Sequence, residues 1–341
     1  MKKSEFTLKE IAHQAGFSLA TIDRVINARS GVRPSTQKRV KQALRELKNQ
    51  QDQIFMVGRK FMIDVVAEAP DRFAELLREA LEHELQALNP AVFRCRFHMA
   101  EVIRPEKIIA QLRQIGLRGS HGVLLKAPDL PEIVEGVNAL VEKGIPVITL
   151  VTDIPHSKRF AYVGINNRAA GETAAYLIGT WLEKRPAAVL VTLSSLGFHG
   201  EEEREMGFRK AMRQNYPHLT SIEISEGFGK NQATGELVTE ALRKNSDICA
   251  VYSIGGANIA VLHAFAKMKR KVQVFIAHDL DGDNVKLLKQ SKLSAVLHHN
   301  LKADMQTCCR LIMQANGALR NQNINPLSAI QVITPFNIPL A

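Results

Sequence analysis

Residues 7–27 read TLKEIAHQAGFSLATIDRVIN, and the spacing inside this stretch decides how the amino end folds. Leu8, Ile11, Ala12 and Ala15 recur at helical intervals, as do Leu19, Ile22, Val25 and Ile26. Between the two runs stands Gly16, four residues after the small Ala12, where a tight turn demands a positive φ that glycine adopts without steric cost. Ser18 is placed to cap the second helix. At about 100° per residue, Leu19, Ile22, Val25 and Ile26 fall on one face, and Ala20, Asp23, Arg24 and Asn27 on the other. Apolar behind and polar in front is the division expected of a recognition helix, whose N-terminal residues meet base edges in the major groove. A third helical run follows ARSGVRPS (28–35), with Val40, Ala43, Leu44 and Leu47 on its apolar side.

Charge points the same way. The 341 residues carry a formal +11, yet residues 1–60 hold thirteen Lys/Arg against five Asp/Glu, a net +8, leaving +3 for the other 281. A basic head on a nearly neutral body implies a polyanionic partner, and with the helix pair that partner reads as double-stranded DNA. Composition alone fits a solvated basic tail as well, and three helices alone fit a protein-interaction module. At 45% apolar and 23% charged the chain has the make-up of a soluble globular protein, and its length calls for two or three domains. MKKSEFTLKEIAHQAGF lacks the apolar core of a secretory signal, and no later run approaches the roughly 20 apolar residues of a membrane span, so the expected location is cytoplasmic. Of Cys95, Cys249, Cys308 and Cys309 only the last two are close. Without CxxC spacing or clustered histidines they read as buried reduced thiols, and neither metal nor cofactor is expected.

Beyond residue 60 the pattern changes. Short β-rich runs at 61–66, 92–99, 122–126, 146–151, 187–193, 248–254, 272–277 and 293–297 alternate with amphipathic segments such as 72–88, 130–143, 168–184 and 231–245. Strand and helix in alternation imply parallel sheets with right-handed crossovers. So many units favour two doubly wound α/β lobes over one large sheet, with a ligand cleft where the carboxyl ends of the strands face each other. The polar KNQQDQ (48–53) is placed to act as a linker.

TLKEIAHQAGFSLATIDRVINARSGVRPSTQKRVKQALREL resembles the DNA-binding headpiece of the lactose repressor (LacI/GalR) family, through T-L-x-x-I-A-x-x-A-G-F-S-x-x-T-I-x-R-V-I-N and the later V-x-x-x-T-Q-x-R-V. The resemblance implies base reading by Leu19, Ala20 and Arg24, and phosphate contacts from Thr7, Ser18, Thr21, Asn27, Arg33 and Thr36. Arg24 can fork onto a guanine, while Leu19 and Ala20 offer apolar contact to a thymine methyl. Asp23 is unusual where the family more often has a small hydroxyl. It can accept from cytosine N4, orient a basic neighbour, or simply favour the helix dipole. The resemblance also implies a body of two periplasmic-binding-protein-like lobes. Domains are then expected at 1–58 and 59–341, the N-lobe at about 59–165 plus 300–323 and the C-lobe at about 166–299 plus 324–341. The chain departs from the family at LKNQQDQIFMVGRKFMIDVV (47–66), which lacks the Tyr, Pro-Asn and Ala-Arg-x-Leu of the minor-groove hinge helix. Ile54, Phe55 or Met56 can replace its wedge, or the segment is an ordinary packed linker.

Effector contacts are expected at strand ends. The resemblance places Arg204 of EEEREMGF and Asp279 of FIAHDLD at effector-binding positions, with inter-lobe ion pairing as their other use. Asp153 ends IPVITLVTDIP, and Asn167 and Arg168 open the helix after YVGI, where capping explains them equally. Asn258 follows Gly255 and Gly256, which replace the family's Asn-Asp pair; His299 ends LHHN; Phe73 suits stacking on a sugar ring or the core. Planar carboxylate, amide and guanidinium groups grip adjacent hydroxyls in pairs, which suits a sugar or polyol, and Arg168 with Arg204 keeps a sugar acid open. The expectation is a homodimeric, effector-controlled repressor reading a pseudo-palindromic operator, since one recognition helix reads one half-site. A tetramer has no heptad tail to support it. The alternative is a cytoplasmic sugar-binding or sugar-modifying enzyme using the same cleft, but the chain offers no G-x-S-x-G elbow, P-loop, HExxH or helix-opening G-x-G-x-x-G.

Overall fold

A computed structural model describes residues 6–56, 58–87, 91–182, 186–319 and 323–339. Thr7 opens α1 (Leu8–Ala15) with a capping box: its Oγ1 accepts the Glu10 N–H at 3.3 Å, and the Glu10 carboxylate accepts the Thr7 N–H at 2.7 Å. Gly16 closes α1 at φ +75°, and Ser18 caps α2 (Leu19–Ile26) by accepting from the Thr21 N–H at 3.3 Å. Pro34 begins α3 (Pro34–Met56), where its missing N–H costs nothing. Ile11, Ala15, Ile22, Val40 and Ala43 form the buried centre, and Gln14, which donates to Glu46 and accepts from Arg39 at its carbonyl, lashes α1 to α3.

Two expectations change at this point. Leu19 does not join the apolar face; it is 46% exposed at the first position of α2, whose buried residue is Ile22. KNQQDQ is not an irregular connector but part of α3, since nothing in it breaks a helix. The chain turns after Met56, with Gly58 at φ +76°. The side chains of Ile54, Phe55 and Met56 lie outside the described residues.

The body follows as β1 (Lys60–Glu68), α4 (Asp71–Ala87), β2 (Val92–Ala100), α5 (Pro105–Arg118), β3 (Gly122–Lys126), α6 (Pro131–Glu142), β4 (Val147–Leu150) and β5 (Ala161–Ile165). The chain then crosses into α7 (Asn167–Trp181), β6 (Ala187–Thr192), α8 (His199–Asn215), β7 (Leu219–Ile224), α9 (Asn231–Lys244), β8 (Ile248–Ser253), α10 (Asn258–Lys267), β9 (Val274–His278), α11 (Gly282–Lys289) and β10 (Ala295–His298). It returns through α12 (Leu301–Ala315) to β11 (Leu327–Ser328) and crosses once more to β12 (Gln331–Ile333). The sheets have the orders β11-β5-β4-β3-β1-β2 and β12-β10-β9-β8-β6-β7. Both are parallel except for β12, which runs antiparallel to β10. Because β11 still pairs with β5, the last crossing comes after Ser328, later than the expected boundary at 323/324. Strand β7 escaped the apolar pattern because LTSIEI is an edge strand with its Thr, Ser and Glu facing out.

Central strands are apolar on both faces, as a sheet covered by helices requires. Ile63, Val65 and Ala67 of β1 pack with residues of α4 and α12, and Val66 packs with those of α5 and α6. The exception is Asp64, which is fully buried in β1. Arg96 forks onto its carboxylate at 3.0 and 2.7 Å, Arg118 donates at 2.6 Å, and a His98 ring nitrogen lies at 3.1 Å. Burial alone would raise this carboxyl; the Arg96 fork, Ser120 and His98 outweigh it and hold it below the ordinary aspartate value of 3.8. The carboxylate therefore stabilises the fold fully above that value, and the stabilisation is lost as pH falls through the lower folded-state pKa. Asp64→Asn is expected to cost on the order of 2–3 kcal/mol at pH 7, less than a fully desolvated pair because both arginines are partly solvated. Urea titrations should show the gap from the parent chain closing as pH drops below 4.

Candidate recognition helix and ligand cleft

The polar side of α2 is open. Ser18, Leu19, Ala20, Arg24 and Asn27 are exposed, as are Thr7 and Arg33 beside them, while Thr21, Asp23 and Thr36 are half-buried. Thr7 and Ser18 carry their caps and still present oxygen to solvent. Among the described residues Arg24 makes no ion pair, so its guanidinium is uncommitted. Asp23 is not: it accepts from Asn27 Nδ2 at 2.7 Å and pairs with Arg29 Nη1 at 3.0 Å. Of its three readings the geometry favours the orientation of neighbours. Its carboxylate stands one turn before Asn27 and fixes the amide's direction.

In the body, the ends of β1, β3 and β4 face those of β6, β8 and β9 across a pocket whose mouth is open to solvent. Of the eight candidate residues, Phe73, Arg204 and Asp279 line it. Arg204 is 3% exposed, and its Nε donates to Asn167 Oδ1 at 2.8 Å. The glycine in the R-x-x-G spacing explains how: a Cβ on Gly207 would lie 2.1 Å from the Arg168 carbonyl oxygen, so only glycine lets α8 press so close to α7. Asp279 directly follows β9 at φ +63° and faces the buried His299, whose Nε2 lies 3.7 Å from Asp279 Oδ1.

The other five stand behind or outside the pocket. Asn167 donates to the Val151 carbonyl at 3.2 Å and the Tyr162 hydroxyl at 3.0 Å, so it positions Arg204. Asn258 donates to Asn284 Oδ1 at 2.7 Å, and Asn284 in turn holds the carbonyls of His278 and Asp279. Asp153 is taken by the Arg159 fork, the Thr149 hydroxyl and the Ile154 N–H. Burial opposes its charge, but Arg159 prevails and holds its pKa down. Arg168 lies outside the cleft, half-exposed, 3.7 Å from Glu203. His299 bonds Asp304 through Nδ1, and the Ser328 hydroxyl donates to the same carboxylate. The hydroxyl sits on the aspartate and not on the imidazole, so this chain of groups is no nucleophilic relay.

The cleft also holds residues that motif matching passed over: Glu68, Arg72, Glu101, Lys126, Glu201, His278 and Asp281. Two of them carry a signal in the sequence, a charged residue at the end of an apolar strand. Glu68 ends β1 and Lys126 ends β3. Lys126 is 9% exposed; its Nζ donates to the Glu68 carbonyl at 2.7 Å and lies 4.1 Å from the centre of the Phe198 ring. Burial lowers its pKa and pushes the carboxyls of Glu68 and Asp281 up. His278 shares a 2.8 Å hydrogen bond with Tyr252, and burial holds its pKa well below 6.5, so it is neutral. Glu201 accepts the Ser194 N–H at 2.7 Å and hydroxyl at 2.5 Å.

Among the described residues no helix is long and apolar enough to cross a membrane, and no group of three or more His, Cys, Asp or Glu could hold a metal ion. Two family models match the chain: bacterial regulatory proteins, lacI family, over residues 7–50, and periplasmic binding protein domain over residues 65–318. No curated protein matches it. Among solved structures, GanP, a glucose-galactose binding protein from Geobacillus stearothermophilus, superposes with a TM-score of 0.73 at 20% identity, over 83% of this chain and 100% of that one. AraP, an arabinose binding protein from the same organism, gives 0.65 at 21%, over 82% and 97%. A Bacteroides fragilis protein described as a LacI transcriptional regulator gives 0.71 at 15%, over 82% and 98%. At these identities the likeness establishes the fold of the body.

If Asp23 orients Asn27 and Arg29 at the cost of repelling phosphate, Asp23→Ser should tighten binding to random-sequence duplex by about threefold. Fluorescence anisotropy at fixed salt measures this, and unchanged affinity would remove the role.

Proposed function

Since the chain belongs to the lacI family of bacterial regulatory proteins, with a periplasmic binding protein domain as its body, we propose that it is a sequence-specific transcriptional regulator controlled by a small polyhydroxylated effector. In this reading it works in the cytoplasm as a homodimeric repressor. Each protomer offers one α2 to one half-site of a pseudo-palindromic operator, and effector in the inter-lobe cleft changes the grip of the pair. The observation that carries the reading is the joint presence of an uncommitted Arg24 on a solvent-facing recognition helix and, in the same chain, a cleft that presents Arg204 and Asp279 at its wall.

The cleft narrows the effector. Five carboxylates, Glu68, Glu101, Glu201, Asp279 and Asp281, line it against three cations, Arg72, Lys126 and Arg204. With Arg168 outside, this balance favours a neutral or amine-bearing polyol over a sugar acid, whose charge would add to the negative excess. The sugar-binding titles of GanP and AraP support the same class.

Removal of residues 1–58 should abolish operator binding and leave effector binding intact; loss of both would contradict the separation of roles. Arg204→Ala and Asp279→Ala should each weaken the effector by roughly 10- to 100-fold, the range of a charge-assisted hydrogen bond, without weakening DNA binding in its absence. Calorimetry against D-galactose, L-arabinose, D-glucosamine and D-gluconate measures this, with gluconate expected to bind least.

A further inference from the structure

Gly255 and Gly256 follow β8 at the wall of the cleft; Gly255 lets the turn press against the backbone of Ser194, and the side chain that Gly256 lacks leaves a seat for a residue of the other lobe. A Cβ on Gly256, at φ +82°, would lie 2.2 Å from Nη2 of Arg72. Arg72 rises from the first turn of α4 and crosses the cleft. Its Nε meets Asp281 Oδ2 at 3.1 Å, and its Nη1 donates to the Gly229 carbonyl at 3.2 Å. Three segments of the second lobe are thus engaged by one guanidinium: the turn before α9, the turn after β8, and the start of α11. The partner carboxylate is itself fixed, because Asp281 caps α11 by accepting the Asn284 N–H at 2.7 Å. Asp281 keeps 8% of its side-chain surface and Arg72 27%, so water screens this pair far less than the inter-lobe pair of Lys230 and Glu101, at 3.9 Å with both partners more than 40% exposed.

We propose that Arg72 is the positioning residue of the cleft: seated on Gly256, it holds the two lobes closed around the effector space before any effector arrives. Only a planar fork can serve an in-line carboxylate through Nε and a carbonyl through Nη1 together; a lysine ammonium offers a single point of charge. Gly256 is required because any side chain there would occupy the seat. The inference builds on the cleft as the effector site, since a cleft closed in advance spares the effector part of the cost of ordering the lobes. Arg72 also places a donor-rich wall where a side chain at 256 would otherwise project from the second lobe.

The test uses the full-length protein without ligand, by small-angle scattering and amide hydrogen exchange. Arg72→Ala and Asp281→Asn should each increase the radius of gyration and speed exchange about tenfold at residues 228–231 and 254–258. Arg72→Lys should recover only part of the protection. Gly256→Ala, with folding checked by circular dichroism, should match Arg72→Ala, and the double variant should be no more open than either alone, because each removes the same contact. Closed scattering with unchanged exchange in Arg72→Ala would overturn the proposal, and so would additive opening in the double variant. Since the readout is ligand-free, it stands apart from the calorimetry of Arg204 and Asp279, whose failure would overturn the effector reading alone.

Discussion

One buried amide ties this body together. Asn167 is the first residue of α7, directly after the chain crosses from one lobe to the other, and it is 2% exposed. Its Nδ2 donates to the Val151 carbonyl and the Tyr162 hydroxyl of the first lobe, and its Oδ1 accepts from Arg204 Nε in the second. A buried amide with both ends satisfied is specific about geometry, because breaking either bond strands a polar group away from water. The guanidinium at the cleft wall is therefore located by the crossing itself. Gly171 and Gly207 complete the constraint, since a Cβ on Gly171 would lie 1.9 Å from the Arg204 carbonyl oxygen and α8 could not approach.

The order of strands and helices was legible because central parallel strands must be apolar on both faces, so runs such as GVLLK (122–126) and AAVLVTL (187–193) stand out against their amphipathic neighbours. What escaped the set of apolar runs was β5, short and only half-buried at its start, together with segments that lack that burial: β7 at a sheet edge, and the two- and three-residue strands β11 and β12. KNQQDQ looked like a linker because it is polar, yet polarity does not end a helix; proline, glycine and competing side-chain caps do. Leu19 falls on the apolar face by projection, yet it stands at the first position of α2 and is exposed.

The site was legible in part, and for a physical reason. Arg204 and Asp279 came from position within a family pattern, Phe73 from a ring at the start of a helix, and all three line the cleft. Asp153, Asn167, Asn258 and His299 have suitable chemistry near strand ends, but each is engaged by the protein, respectively by Arg159, Arg204, Asn284 and Asp304. A linear sequence does not reveal which of two adjacent polar residues points into a cleft and which points behind it. Lys126 and Glu68 were readable in principle, since a charge closing an apolar strand has few places to go except the cleft. Arg72 was not, because its setting depends on a glycine more than 180 residues away, Gly256.

In the function proposed above, headpiece and cleft are coupled through the closure of the lobes. Binding energies at the two sites must then be linked reciprocally: any factor by which effector changes operator affinity is the factor by which operator changes effector affinity. The most direct measurement is the affinity of the full-length protein for a selected dyad-symmetric duplex, at fixed salt, with and without saturating effector, paired with effector affinity on free and DNA-bound protein. One common factor, in the range of about 5- to 150-fold, is expected in both directions. Operator affinity that is the same with and without bound effector would contradict the coupling.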